Sequence, residues 1–325
     1  MQVNDPVYGS FEVRERVMLE LMASAPMQRI RGVSQQGIPN DGIKQEMPYY
    51  SRFDHCVGVM LLLKKLGAPL EEQVAGLLHD VSHTAFSHVA DWVFGSVEAE
   101  NYQDSIHKDY IIHSELKRIL ESNDLDPERI AHLETFPLLE RELPMLCADR
   151  VDYALKDFHY YYDYDVNAVV NGLRSYKDEI VFDSKRPAQI FGEGYMRCQE
   201  EIWGSDRRKT EYEILAQAIK IGFDAGVITA DDLLHRGDLE VTGMLEEAQN
   251  EEINKRLRAL RSGLKYSRSD RGSIPLRKKY RYVDPKYFEG GKLLRLSETD
   301  ANFEKMLRTE RARMEERVRV DVIYD

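Results

Sequence analysis

Apolar residues along this chain recur mostly at helical spacing, and the gaps between periodic stretches carry start and stop chemistry. In "SRFDHCVGVMLLLKKLG" Ser51 stands as an N-cap, Asp54 follows three residues on, and Gly67 ends the run, so a helix is predicted between them. "PLEEQVAGLLHD" opens on Pro69 and two acids, which suit a first helical turn, and predicts a helix over 69–80. Shorter helices are predicted over 110–122 and about 128–134. "LLERELPMLCADRVDYALKDFHYYY" predicts a longer one, with Pro144 as a kink or a start. "DEIVFD" alternates like a strand, 194–226 and 230–250 return to helix, and "KKYRYV" and "VRVDVIYD" read as strands. The fold class that follows is mainly α with a small mixed α/β C-terminal part. It divides into a core over 1–170, a helical continuation with a short strand pair over 171–250, and a basic segment over 251–325.

Composition narrows the class. The 325 residues are 42% hydrophobic and 31% charged, enough for a sizeable core and a polar surface. No run of 18 apolar residues is present, so no membrane partner is expected, and the N-terminus lacks a charged-then-apolar signal pattern. Cys56, Cys147 and Cys198 are an odd, dispersed trio, which points to a reducing, cytoplasmic setting. A net charge of −12 disfavours binding nucleic acid with the whole surface. Residues 255–282 are the exception, with eleven Lys/Arg and one acid, Asp270. A solvated basic loop, a contact with acidic neighbours and a polyanion site all fit that segment.

The chemistry concentrates in "LLHDVSHTAFSH", residues 77–88. His79 and His83 are spaced i, i+4, as in the zinc-protease HExxH motif, but Asp80 stands where that motif needs the longer Glu as general base. The adjacent pair His79–Asp80 at a helix end offers another use, as half of a metal site. The remainder would come from His55 in "RFDH" and Asp149 in "DRVDY". Histidine and carboxylate are good ligands for Zn, Fe, Mn and Mg, with the mix setting the preference.

The set His55, His79, Asp80, Asp149 has the H…HD…D order of the HD phosphohydrolase superfamily, which this chain resembles. More narrowly it resembles the HD-domain deoxynucleoside triphosphate triphosphohydrolases. That likeness runs through "NDPVYG" (4–9), "QRIRGVSQQG" (28–37), "SRFDHCVGV" (51–59), "LLHDVSHTAFSHVAD" (77–91) and "DRVDYALKD" (149–157). The resemblance implies an HD-domain helical fold and one divalent transition metal (Fe, Mn, Ni or Zn), with Mg on the substrate phosphates. It implies dNTP hydrolysis to deoxynucleoside and triphosphate by attack at the α-phosphorus, in a homo-oligomer such as a dimer or tetramer. It places Arg52, Arg150 and Tyr153 on phosphates and Gln35 and Asp157 on the sugar 3′-hydroxyl. Among His83, Asp91 and His107 it implies a catalytic set, with His107 protonating the leaving oxygen. Asp149, Tyr153, Lys156 and Tyr160 also fall on one helical stripe, which would put Lys156 beside the phosphates. His88 is expected to brace its helix, not to act on substrate.

The sequence departs from the family pattern in places. Lys156 replaces an Arg, Tyr8 replaces the His of "DPVHG", and "EIWGSDRR" replaces a Tyr-x-His-basic signal. Ser24 stands where activated members carry an acid that reads an effector guanine. Two other functions stay open. One is a binuclear HD enzyme of the phosphodiesterase or di-iron oxygenase type, with His107 and His132 as added ligands. The other is a nucleotide-sensing or nucleic-acid-binding protein that uses 255–282.

Overall fold

A computed structural model of the chain describes residues 1–38, 50–95, 97 and 100–324. The helix Arg52–Lys65 forms where its caps predict. Ser51 Oγ accepts the Asp54 amide, and the Asp54 carboxylate accepts the Ser51 amide in return. Gly67 takes φ +78° just past its end, a conformation glycine adopts without strain. This helix is buried nearly all round and lies against the helices Leu70–Leu78 and Ala148–Tyr161. These three helices carry the chemistry introduced above.

The apolar residues form two packed clusters. The first gathers the N-terminal half around Arg52–Lys65 and takes in Val283, Tyr287, Leu296 and Phe303 from near the C-terminus. The second centres on the helix Asp206–Asp224 and includes Phe86, Val89 and Trp92 together with Val318 and Val320. The loop between Leu78 and Val89 therefore spans both cores. The small sheets are peripheral. Leu173–Tyr176 and Glu179–Phe182 form a hairpin joined by Lys286–Glu289 and Lys292–Arg295, and Arg319–Ile323 pairs with Lys265–Arg268 and Ile274–Pro275. Among the described residues no helix is long and apolar enough to cross a membrane. The three cysteines are buried and unpaired.

Several local expectations change, and the open reading of the basic run narrows. "KKYRYV" is not a strand; the strands lie further on, at Lys286–Glu289 and Lys292–Arg295. The stretch before Ala148 is not helical, because Pro144 steers its neighbour away from helix and the Leu138 and Leu139 amides bond the Glu72 carboxylate instead. The helix expected over 194–226 is broken by a π-turn at Gln199–Trp203, and a new helix starts at Asp206 under the Ser205 cap. The basic run 255–282 is largely neutralised. Arg256, Arg258 and Arg261 pair with Glu252, Glu251 and Glu246, Arg268 and Lys278 share Asp206, and Arg281 pairs with Glu100. A free polyanion-binding stripe is not what these side chains make.

The residues Gln2–Asp5 and Gly9–Glu12 form an antiparallel hairpin that docks on the first core. Its turn is held by Asp5, whose Oδ1 accepts the Val7 and Tyr8 amides. Its Oδ2 reaches Lys156 Nζ at 2.9 Å. Lys156 and Asp152 fit against Arg52–Lys65 only because residue 58 is glycine. A Cβ there would lie 2.1 Å from Asp152 Oδ1 and 2.3 Å from Lys156 Nζ. Gly58→Ala is expected to destabilise the fold by about 1–3 kcal/mol, an overpacking penalty. Differential scanning calorimetry should show that as a fall of roughly 2–4 °C in Tm.

Candidate metal centre and substrate cleft

His55 lies one turn into the helix Arg52–Lys65, His79 is the C-cap of Leu70–Leu78 with Asp80 next, and Asp149 is in the first turn of Ala148–Tyr161. Their donor atoms converge. His55 Nε2 is 3.1 Å from His79 Nε2, 2.9 Å from Asp149 Oδ1 and 3.7 Å from Asp80 Oδ2. His79 Nε2 is 3.5 Å from both Asp80 Oδ1 and Asp149 Oδ1.

The outer nitrogens fix what the inner ones can do. His79 Nδ1 bonds the Gly76 carbonyl at 2.8 Å, and His55 Nδ1 bonds Asp152 Oδ2 at 2.6 Å. A carbonyl and a carboxylate accept only, so each ring donates from Nδ1, and an Nε2 whose proton a cation displaces would turn its lone pair inward. Two lone pairs and two carboxylates aimed at one point repel unless a cation sits among them. That donor set fits a divalent ion held by His55, His79, Asp80 and Asp149, with Asp152 and the Gly76 carbonyl as the outer partners such ligands use. Burial pushes Asp80 up, but Arg52, His79 and His83 together hold its carboxylate well below the usual range. Arg52, 2% exposed, spans from Asp80 Oδ2 to Ser87 Oγ at 2.8 Å.

A cleft opens from this point in two compartments. The metal side is walled by His79, Asp80, His83, Asp149 and Arg150, with Glu140, Asp104, Lys279 and Arg281 around it. The other side is aromatic, with Tyr50, Trp203 and Tyr212 around Asp157, Gln36, Arg208 and Lys209. Gln35, Arg52, His88, Glu100, Tyr153 and Arg281 border both. Gln35 Oε1 is buried with no partner among the described residues. Asp157 is buried and accepts Gln36 Nε2 and the Tyr50 hydroxyl at 2.9 Å and Trp203 Nε1 at 2.8 Å. Burial pushes its carboxyl up to about 6 despite those donors. The Tyr153 hydroxyl is tied to that of Tyr195 at 2.6 Å, which fixes this part of the cleft wall.

Several assignments move. The helix ends at Leu78, and 79–88 is a chain of tight turns, so His79 and His83 do not share a helical face. His83 Nε2 is 3.3 Å from Asp80 Oδ1, and burial beside Arg52 pushes its imidazole down to about 3. Lys156 is not a cleft residue: it is fully buried between Asp5 and Asp152. His107 does not border the cleft either. It is 3% exposed, with Nδ1 3.0 Å from Ser82 Oγ, and burial pushes it down to about 4. His132 is exposed beside Glu134 and cannot join His107 as a second-metal ligand. A different trio, Glu140, Cys147 and Asp149, lies beside the first and shares Asp149. Arg150 borders the cleft while donating to the Met145 and Arg141 carbonyls.

His88, expected as a brace, stands at the junction of the two compartments. Its side chain is 30% exposed and Nδ1 is 3.1 Å from Asp91 Oδ2, while Asp91 Oδ1 accepts the Tyr102 amide. The turn before it is unusual. Phe86 and Ser87 take φ +63° and +52°, a left-handed conformation that is strained for side-chain-bearing residues. Asp238, 1% exposed, holds this turn: Oδ1 accepts the Phe86 amide at 2.7 Å and Oδ2 the Ser34 amide at 2.8 Å. Ser87 Oγ adds a bond to the Ser34 carbonyl. A histidine followed three residues later by an acid was the available signal, and it can mean a helix brace as well as an oriented proton donor.

Comparison with known proteins agrees with this geometry. The HD domain family model matches residues 52–147. The chain is 35% identical to the uncharacterised protein YdhJ of Bacillus subtilis, over 94% of each chain. It is 31% identical to the metal-dependent phosphohydrolase cns2 of Cordyceps militaris, over 89% of this chain and 85% of that one. Likeness to the deoxynucleoside triphosphate triphosphohydrolase SAMHD1 of Danio rerio is shorter, 32% over 28% of this chain and 17% of that one.

Proposed function

From the premise that this chain belongs to the HD-domain family of metal-dependent phosphohydrolases, we propose that it hydrolyses dNTPs to deoxynucleoside and triphosphate. The observation that carries this is His88 bordering both compartments, the metal set on one side and the aromatic, Asp157-centred compartment on the other. A bond cleaved beside His88 would lie between phosphorus and the sugar oxygen. Partial likeness to a named dNTP triphosphohydrolase supports the same substrate class.

His55, His79, Asp80 and Asp149 would hold one divalent ion, Fe, Mn, Ni or Zn, with Mg left to the outer phosphates. Bound there, such an ion supplies Lewis-acid pull on a phosphate oxygen. Arg52 and Arg150 hold further phosphate oxygens, Arg with the planar fork that suits them. Gln35 Oε1 and Asp157 accept from the sugar hydroxyl, and the rings of Tyr50 and Trp203 flank the base. His88, steered by Asp91, gives its proton to the departing 5′-oxygen, the part first assigned to His107. His83 neighbours it, ring centroids 5.2 Å apart, and stays neutral beside Arg52. A homo-oligomer belongs to the same reading and would be sized by light scattering.

Product identity tests the proposal. The metal-loaded protein is offered dNTPs, NTPs and nucleoside monophosphates, and products are resolved by ion-exchange chromatography. Deoxynucleoside with intact triphosphate is the expected pair. Orthophosphate from monophosphates, with triphosphates untouched, would replace the substrate class while keeping the phosphohydrolase. The metal-to-protein ratio is expected to be one; a ratio of two would favour a binuclear centre using the Glu140–Cys147–Asp149 trio.

A further inference from the structure

Behind the metal set runs a chain of buried ionic contacts that the catalytic reading does not use. His55 Nδ1 meets Asp152 Oδ2 at 2.6 Å, Asp152 Oδ1 meets Lys156 Nζ at 3.1 Å, and Lys156 Nζ meets Asp5 Oδ2 at 2.9 Å. Asp152 and Lys156 have no exposure and Asp5 has 8%. The Gly58 notch gives the pair its room. Tyr8, on the same hairpin turn, lays its ring 5.7 Å from Lys156 Nζ. An ion pair with no solvent access gains little stability over apolar packing of the same shape, so stability alone does not explain it. What it does fix is orientation. Lys156 holds one oxygen of Asp152, which leaves the other in place to hold the His55 ring with Nε2 turned inward.

We propose that Lys156 and Asp5 are positioning residues of the metal centre, so that the N-terminal hairpin tunes the strength of His55 as a ligand. Without the ammonium, the Asp152 carboxyl loses one of the two side chains that set its direction, and the imidazole is held less firmly. Outer-shell partners of metal-bound histidines are typically worth about 10–100-fold in affinity. The proposal rests on the metal reading above.

The test uses the full chain, stripped by chelator and titrated with Co²⁺ against a competing chelator, with visible absorption following the coordination sphere. Lys156→Met and Asp5→Asn are expected to keep the far-UV circular dichroism of the parent, bind Co²⁺ about 10–100-fold more weakly and give altered visible bands. Ser10→Ala, exposed on the same hairpin, is expected to match the parent. A parent that takes up no Co²⁺ overturns the metal reading itself. A parent that binds, with folded Lys156→Met showing a lower Tm but unchanged Co²⁺ affinity and spectrum, overturns this inference alone. Should Lys156→Met fail to fold, the isosteric Asp5→Asn decides, and parental affinity in that variant overturns the proposal.

Discussion

Asp80→Asn is expected to leave a folded protein that binds no transition metal and hydrolyses nucleotides at least on the order of a thousandfold more slowly, the several kcal/mol that a bound Lewis acid contributes. Asp80 contacts both histidine ligands, so one neutralisation removes a charged ligand and half of the negative charge that would hold the ion. The amide is the right replacement because of Arg52. That guanidinium is buried against Asp80, and an alanine would strand its charge without a counter-charge, a penalty of about 3–5 kcal/mol that would confuse misfolding with lost chemistry. An amide oxygen keeps one acceptor there. Metal content by mass spectrometry, circular dichroism and kcat/KM on one preparation separate the outcomes. Activity and metal content within a few-fold of the parent would refute the assignment.

His88→Gln is the second large effect, a fall of about 10²–10⁴ in kcat with metal content unchanged, the range a positioned general acid supplies. The deficit should shrink sharply for an aryl phosphate ester whose leaving oxygen needs no proton. A deficit that persists on such a substrate would mean that His88 binds phosphate and does not protonate. Asp91→Asn should fall between parent and His88→Gln, because the ring keeps a neutral partner and loses only the charge that steers it. His107→Gln should sit near the parent, since His107 is walled off by Ser82 and Gln103. A collapse in that variant with His88→Gln unaffected would restore the assignment first drawn from the sequence.

The four metal-binding candidates were legible because each sits beside a feature the chain advertises: a capped helix start, a helix end, an apolar-framed first turn. The convergence of His55, His79 and Asp80 needs only that the helices Arg52–Lys65 and Leu70–Leu78 fold back on each other across Gly67, whereas Asp149 arrives on the distant helix Ala148–Tyr161. Lys156 was misplaced by a sound periodicity. The stripe from Asp149 to Tyr160 exists, but the cleft covers only its first turns. Two turns on, the same face passes under the N-terminal hairpin, and no local pattern announces what covers a helix. The two departures at Tyr8 and Lys156, separate in the sequence, meet at that spot. The basic run 255–282 stayed open for a related reason, since its counter-charges at Glu100 and Asp206 come from distant segments. The position of His88 at the cleft had no local signal, because it depends on the left-handed turn at Phe86 and Ser87, which Asp238 holds from a distant segment.

That Asp238 clasp has a consequence for hydrogen exchange. The amides of Ser34 and Phe86, on separate segments, share one acceptor group, so neither opens to solvent without loosening the same carboxylate. Their deuterium uptake should rise and fall together, at a rate set by how often the helix Asp238–Glu247 unseats. Together the two amides give a clock for the preorganisation of the loop that presents His88.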